Sequence, residues 1–203
     1  ESQNAPIGQL KRGYGSDPQT VADHVVAFVE GLHEAGIATT VKHFPGLGRV
    51  EGNTDSTAQV VDDVTTRDDP YLEPFRAAIQ DGQTEFVMAS LATYTKIDPD
   101  HLAAFSPTIL RDMLRGDLGF DGVIMSDSLS ATAVLQWGPG TRAQMFLLAG
   151  GDLIVLTPFT TATAMITSVT KRAQAHADFR AVVDAAALRV LQAKDEAGML
   201  PCS

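Results

Sequence analysis

The sequence is short of cysteine, of basic residues and of long apolar runs. Its one cysteine, Cys202, stands beside the C-terminus, so no intrachain disulfide can form and cysteine usage assigns no redox compartment. No apolar run reaches the roughly 18 residues of a membrane span, and no secretory leader or lipobox is visible. The chain carries 15 Lys and Arg against 25 Asp and Glu, a formal charge of −10. That balance disfavours nucleic acid, which needs a basic face, and an anionic membrane surface as well. No H-x-H, H-E-x-x-H or acidic cluster occurs, so no metal and no cofactor is expected. The first residues read ESQNAPIG without an initiator Met. A processed or truncated product is the expectation, and the compartment stays open, secreted or cell-surface locations included.

What is present is an ordinary globular composition, 44% apolar over 203 residues. One core and one domain, residues 1–203, are expected. Asp17-Pro18 reads as a helix start, with Val21, Val25, Phe28, Val29 and Leu32 at helical spacing and Gly36 as the stop. Ile37–Phe44 reads as a strand, followed by a long loop to Thr66. Asp69-Pro70 starts a second helix carrying Leu72, Phe75 and Ile79. Glu85–Ser90, Gly122–Ser126 and Asp152–Leu156 read as further strands. Helices are expected after Ser106-Pro107, with Ile109, Leu110, Met113 and Leu114 inward, over 140–149, 161–177 and 179–197. Strands without apolar–polar alternation, each followed by a helix, point to an α/β fold with a parallel sheet buried on both faces. The fold class expected is a (β/α)8 barrel type. It would be incomplete, because four strands are found where a full barrel takes eight and about 250 residues.

The polar residues that carry chemistry stand just after strands, the end of a parallel α/β fold that holds active sites. Asp127 closes the run Val123–Ser126; it reads either as a helix cap or as a carboxylate at the barrel mouth, able to attack an anomeric carbon. Lys42-His43 ends the first strand. Alternation would turn only one of the two toward the barrel axis, unless the strand twists off there. Lys42 reads as a structural ion pair, or as a Schiff-base lysine, which would make the protein an aldolase. Asp55, in Asn53-Thr54-Asp55-Ser56-Thr57, reads as an ordinary turn residue. Arg12, in a Gly-rich loop, reads as a solvated cation. His24 and His33 read as surface residues of the first helix.

Three stretches carry a family resemblance. Lys42-His43-Phe44-Pro45-Gly46-Leu47-Gly48 is similar to the K-H-F-P-G-x-G of glycoside hydrolase family 3, on its β-N-acetylhexosaminidase branch. Gly119–Asp127 resembles that branch's G-F-x-G-V-I-x-S-D. Arg12-Gly13-Tyr14-Gly15, after Pro6-Ile7-Gly8, resembles its R-S-F-G after P-x-I-G. Lys96-Ile97-Asp98-Pro99 and Ala149-Gly150-Gly151-Asp152 support the match, which runs nearly end to end.

The resemblance implies a retaining glycosidase for β-linked N-acetylglucosamine-type sugars, in which Asp127 is the nucleophile of a covalent glycosyl intermediate. Lys42, His43 and Arg12 would bind sugar hydroxyls, and the loop after Lys42, with Asp55, would bring the acid/base. The sequence departs from the branch in two places. The loop ends Asp55-Ser56-Thr57 where the branch has D-S-H, so Thr57 stands in place of the catalytic His. A hydroxyl cannot serve as general acid near neutral pH, and losing a positioned acid costs roughly 100- to 10,000-fold. Catalysis by Asp55 alone or an impaired, sugar-binding homologue are both open. Ser128 also replaces a second Asp. The other departure is that the family's first strands have no counterpart, which would leave sheet edges and an apolar face exposed. A missing N-terminal segment, a partner chain or self-association is the expectation, with Pro201-Cys202-Ser203 as the true chain end.

Overall fold

A computed structural model describes residues 4–200 of the chain; Cys202 and the expected chain end lie outside them. Helix α1 (Pro18–Glu34) starts where the Asp17 carboxylate accepts the Thr20 N–H at 2.8 Å, with Pro18 at the first helical position. Gly36, at φ 69°, turns the chain out of the helix. Strand β1 (Thr40–Phe44) follows, then β2 (Val61–Asp62). A 3-10 turn, Pro70–Leu72, is capped by Asp69 and leads into α2 (Glu73–Gln80). Next come β3 (Phe86–Ala89), β4 (Thr93–Tyr94), β5 (Asp98–Leu102), a π-helical segment (Thr108–Asp117), β6 (Val123–Ser126), α3 (Pro139–Ala149), α4 (Ala162–Ala175) and α5 (Ala177–Glu196).

The main sheet has the order β1-β3-β6, and both pairs are parallel. Val41, Val87 and Ile124 lie in register across it. Ile109, Leu110, Met113 and Leu114 of the π-helical segment, the four residues expected inward, are fully buried in the core with Val87 and Ile124. Near 25 cal/mol per Å² of apolar surface, each such side chain contributes about 1.5–3 kcal/mol.

Three expectations change. Asp152–Leu156 forms no full ladder: it joins β6 through one bridge, Met125 to Leu153. Beyond it, the Val155 N–H is taken by the Ser126 hydroxyl at 3.1 Å instead of a strand carbonyl. The long loop and the segment after Ser90, which received no assignment from the sequence, hold a second small sheet, β2-β4-β5. Its strands are two to five residues long, too short to show a period. The main sheet is not buried on both faces. Val87 and Ala89 are buried toward the helices, while Met88 and Met125 are half-buried on the other face.

That second face would be a barrel's interior, and here the sheets do not close. Among the described residues β1 pairs only with β3. Beside its free edge lies a cavity of about 450 Å³, walled by α1 residues such as Val25 and Phe28 and by Thr40–Lys42 of β1. Phe28, expected inward from its spacing, is 57% exposed, on the side of β1 where no strand among the described residues pairs.

Candidate active site

The register of β1 builds the site. Val41 stands opposite Val87 and Phe44 opposite Ala89, so three steps along β1 match two along β3. Val41 and Phe44 therefore share the helix-facing side, and Lys42 and His43 both fall on the interior side. A bulge of this kind bends the strand locally and re-aims a side chain. The strand departs from strict alternation at its end, and both residues of the pair are presented together. His43 is buried at 6% exposure, and Lys42 is exposed.

Asp127 comes to the same face from β6. Ser126 is paired with Ala89 on the helix side, and the Asp127 N–H continues the ladder to the Ala89 carbonyl at 3.1 Å. The next side chain therefore points inward. The Asp127 Oδ1 accepts the Ser128 N–H at 2.7 Å, and its Oδ2 lies 3.7 Å from the Nε2 of His43. That is ion-pair range and too long for a hydrogen bond. The carboxylate keeps 19% of its side-chain surface, so a ligand can reach it.

His43 is neutral. Burial is the largest cause, and the Lys42 and Arg12 cations add to it; Asp55 opposes them, and the ring's pKa falls from 6.5 to about 3. Its Nδ1 is buried with no protein hydrogen-bond partner, and a buried polar atom in that state marks a place where a ligand or water completes the network.

Arg12 and Asp55 thus sit close enough to act on His43 through their charges. Arg12 is exposed and donates to the Pro6 carbonyl at 3.0 Å. Its loop is pinned by Asn4, a residue the sequence reasoning missed. The Asn4 side-chain amide donates to Leu47 O and Val50 O in the loop after β1, while its Oδ1 accepts the Ile7 N–H. Asp55 has the turn geometry its sequence suggests, its N–H bonded to Asn53 Oδ1 at 3.0 Å. The same turn is tied to the segment following Asp127: Thr132 Oγ1 donates to Asp55 O at 2.8 Å, and Ala133 N–H to Thr54 O at 3.1 Å. Thr57 closes the turn, its N–H bonded to Asn53 O at 2.8 Å. Tyr94, also missed, is fully buried and its hydroxyl donates to Gly46 O, which holds the Pro45–Gly48 loop. Ser128 does structural work: its Oγ accepts from Thr157 N, Thr157 Oγ1 and Ser130 N. His33 pairs with Glu85 at 3.0 Å at the other end of the sheet.

A reachable carboxylate beside a neutral imidazole, with two cations and a tied-down acidic loop, thus stands at the carboxyl ends of the parallel strands of an α/β domain. The comparisons narrow this. The family model for the glycosyl hydrolase family 3 N-terminal domain matches residues 1–193, and the chain belongs to that family. It is 35% identical over 164 residues to a beta-hexosaminidase of Tolumonas auensis, covering 74% of this chain and 48% of the relative. One from Stenotrophomonas maltophilia is 37% identical over 165 residues, with 75% and 48% covered. The chain thus spans about half the length of these curated relatives. Among solved structures, the β-N-acetylhexosaminidase of Beutenbergia cavernae matches with a TM-score of 0.93 and 50% identity, over 96% of this chain and 58% of that one. A family 3 β-N-acetylglucosaminidase from a Paenibacillus strain gives 0.83 and 28%, over 95% and 37%.

Proposed function

We propose that this chain carries the nucleophile half of a retaining β-N-acetylhexosaminidase that cleaves β-linked N-acetylglucosamine-type sugars. The observation that carries the reading is the Asp127 carboxylate, with Oδ2 turned to neutral His43 and 19% of the side chain exposed. Oδ2 attacks the anomeric carbon as the bond to the leaving oxygen breaks, giving a glycosyl-aspartate ester that water then hydrolyses. Lys42, Arg12 and His43 bind hydroxyls of the same sugar. Asp55, on the loop after Lys42 and close enough to act on His43 through its charge, is the carboxylate for proton transfer. The names of the relatives support the sugar class.

The free edge of β1, the cavity beside it and the length of the relatives support a second part of the proposal. Further polypeptide completes the barrel, as an upstream segment, a partner chain or a second copy. The single-domain reading of 1–203 is proposed in the same sense, as part of that larger barrel. Sedimentation of the isolated chain would report self-association directly.

The second reading, a sugar-binding homologue with impaired catalysis, is favoured by Thr57, which offers a hydroxyl where proton transfer needs an acid. Intact-protein mass spectrometry after incubation with a 2-deoxy-2-fluoro glycosyl fluoride mimic of the N-acetylglucosaminide separates the two. A covalent adduct mapping to Asp127, absent in Asp127→Ala, is expected. No adduct from a folded chain, with calorimetric binding of N-acetylglucosamine intact, favours the binding protein. Borohydride trapping of a carbonyl substrate on Lys42 would instead revive the aldolase.

A further inference from the structure

Arg142 is placed at odds with every simple rule of stability. It lies in the first turn of α3, its N–H bonded to Gly138 O, and a cation there opposes the helix dipole. It is buried at 3% exposure. Among the described residues it has no ion-pair partner, and its Nε is buried with no hydrogen-bond partner. A methionine would fill the same space without the desolvation of a charge, and apolar replacements of buried ions are often neutral or stabilising. Something other than core packing accounts for a guanidinium at this position.

The one hydrogen bond of its side chain among the described residues shows what that is. Arg142 Nη1 donates to the carbonyl of Leu129, two residues after Asp127. Leu129 is fully buried, and its N–H is held by Val155 O at 3.0 Å. The turn it belongs to is the one in which Ser128 N–H binds Asp127 Oδ1, and Ala131 N–H binds Ser128 O at 2.9 Å. Engaging Oδ1 leaves Oδ2 as the oxygen turned to the site. We infer that Arg142 is a positioning residue: by clamping the Leu129 carbonyl from α3, it holds the 127–131 turn in the conformation that presents one oxygen of Asp127. The chemical half of this inference rests on Asp127 being the nucleophile; the clamp itself does not.

The test compares Arg142→Met and Arg142→Lys with the wild-type chain, by amide hydrogen exchange and by the fluoroglycosyl labelling above. In the Met variant the amides of Ser128, Leu129 and Ala131 are expected to exchange about tenfold faster, with those of β6 and of the last turns of α3 unchanged. The labelling rate constant at saturation is expected to fall about 100-fold with little change in the concentration for half-saturation, since misplacing a reacting group by an ångström costs that much. Lys keeps the charge and one donor, and is expected to bring the turn to within a few-fold of wild type and to recover most of the labelling rate. An unchanged turn in the Met variant, faster exchange spread evenly over the chain, or a Lys variant as impaired as Met would each overturn the clamp. Should the Met variant not fold, Arg142→Gln, which stays polar but is too short to reach the Leu129 carbonyl, decides: faster exchange confined to the turn supports the clamp, and none overturns it. If wild type takes no label, the nucleophile reading fails, while the exchange data still judge the clamp.

Discussion

The neutrality of His43 makes stability depend on pH in a defined window. Above pH 6.5 the ring is neutral in both the folded and the unfolded chain. Below 6.5 the unfolded chain takes up a proton that the folded chain refuses until about pH 3. Stability contributed this way is therefore fully present above 6.5 and is lost as pH falls. Each pH unit inside the window links to roughly 1.4 kcal/mol, so lowering the pH from 7 to 5 costs about 2 kcal/mol and the whole window about 5 kcal/mol. The carboxylates held below their ordinary values, Asp17, Asp69, Glu85, Asp98 and Asp117, start from 3.8 to 4.5, so they lose their contributions lower down. The assay is urea unfolding at pH 7 and pH 5, on wild type and on His43→Asn. The wild type should lose about 2 kcal/mol more than the variant over that interval. NMR of the five histidine rings gives the direct check: one ring should keep its neutral shifts at pH 5 and be absent from the spectrum of the variant. A His43 ring titrating near 6.5, or a variant with the wild-type pH dependence, would refute the argument that burial beside Lys42 and Arg12 keeps it uncharged.

Asp152 has a fully buried side chain that pairs with Arg115 at 2.6 Å and Arg189 at 2.8 Å and accepts the Ile124 N–H at 2.8 Å. Asp152→Asn strands two cations and should cost about 3–5 kcal/mol in urea unfolding; a loss under about 1 kcal/mol would sink this account. A Cβ on Gly151 would stand 2.2 Å from the Phe146 ring, so Gly151→Ala should lower stability by about 1–3 kcal/mol or more. Gly31, inside α1 with nothing within 4 Å of its Cβ position, is the opposite case: Gly31→Ala should raise stability by about 0.5–1 kcal/mol, both read by thermal denaturation. Under the proposed activity, Thr57→His supplies the absent acid and should speed cleavage of poor leaving groups at least about tenfold, with little effect on activated aryl glycosides; equal effects on both would count against it.

The sequence by itself determined the elements whose cause is local. Asp17-Pro18 and Asp69-Pro70 start helical turns through a carboxylate and a ring that act within a few residues. Ile109, Leu110, Met113 and Leu114 mark a buried face by their spacing alone. The candidate-site residues Arg12, Lys42, His43, Asp55 and Asp127 stand in short motifs that can be read directly along the chain. Tertiary structure decided the rest, through partners far along the chain. The bulge that turns both Lys42 and His43 inward exists only against β3, more than forty residues on. His43 is neutral because of what buries it. Asn4, Tyr94 and Arg142 carry no local signal, since each acts on a carbonyl in a different loop or helix. Asp152–Leu156 looks like a strand by composition, but a ladder needs a neighbour's carbonyl at each step, and there a serine hydroxyl takes one of them. Caps and periodicity act over one turn, whereas register, burial and charge environment are properties of pairs that only folding brings together.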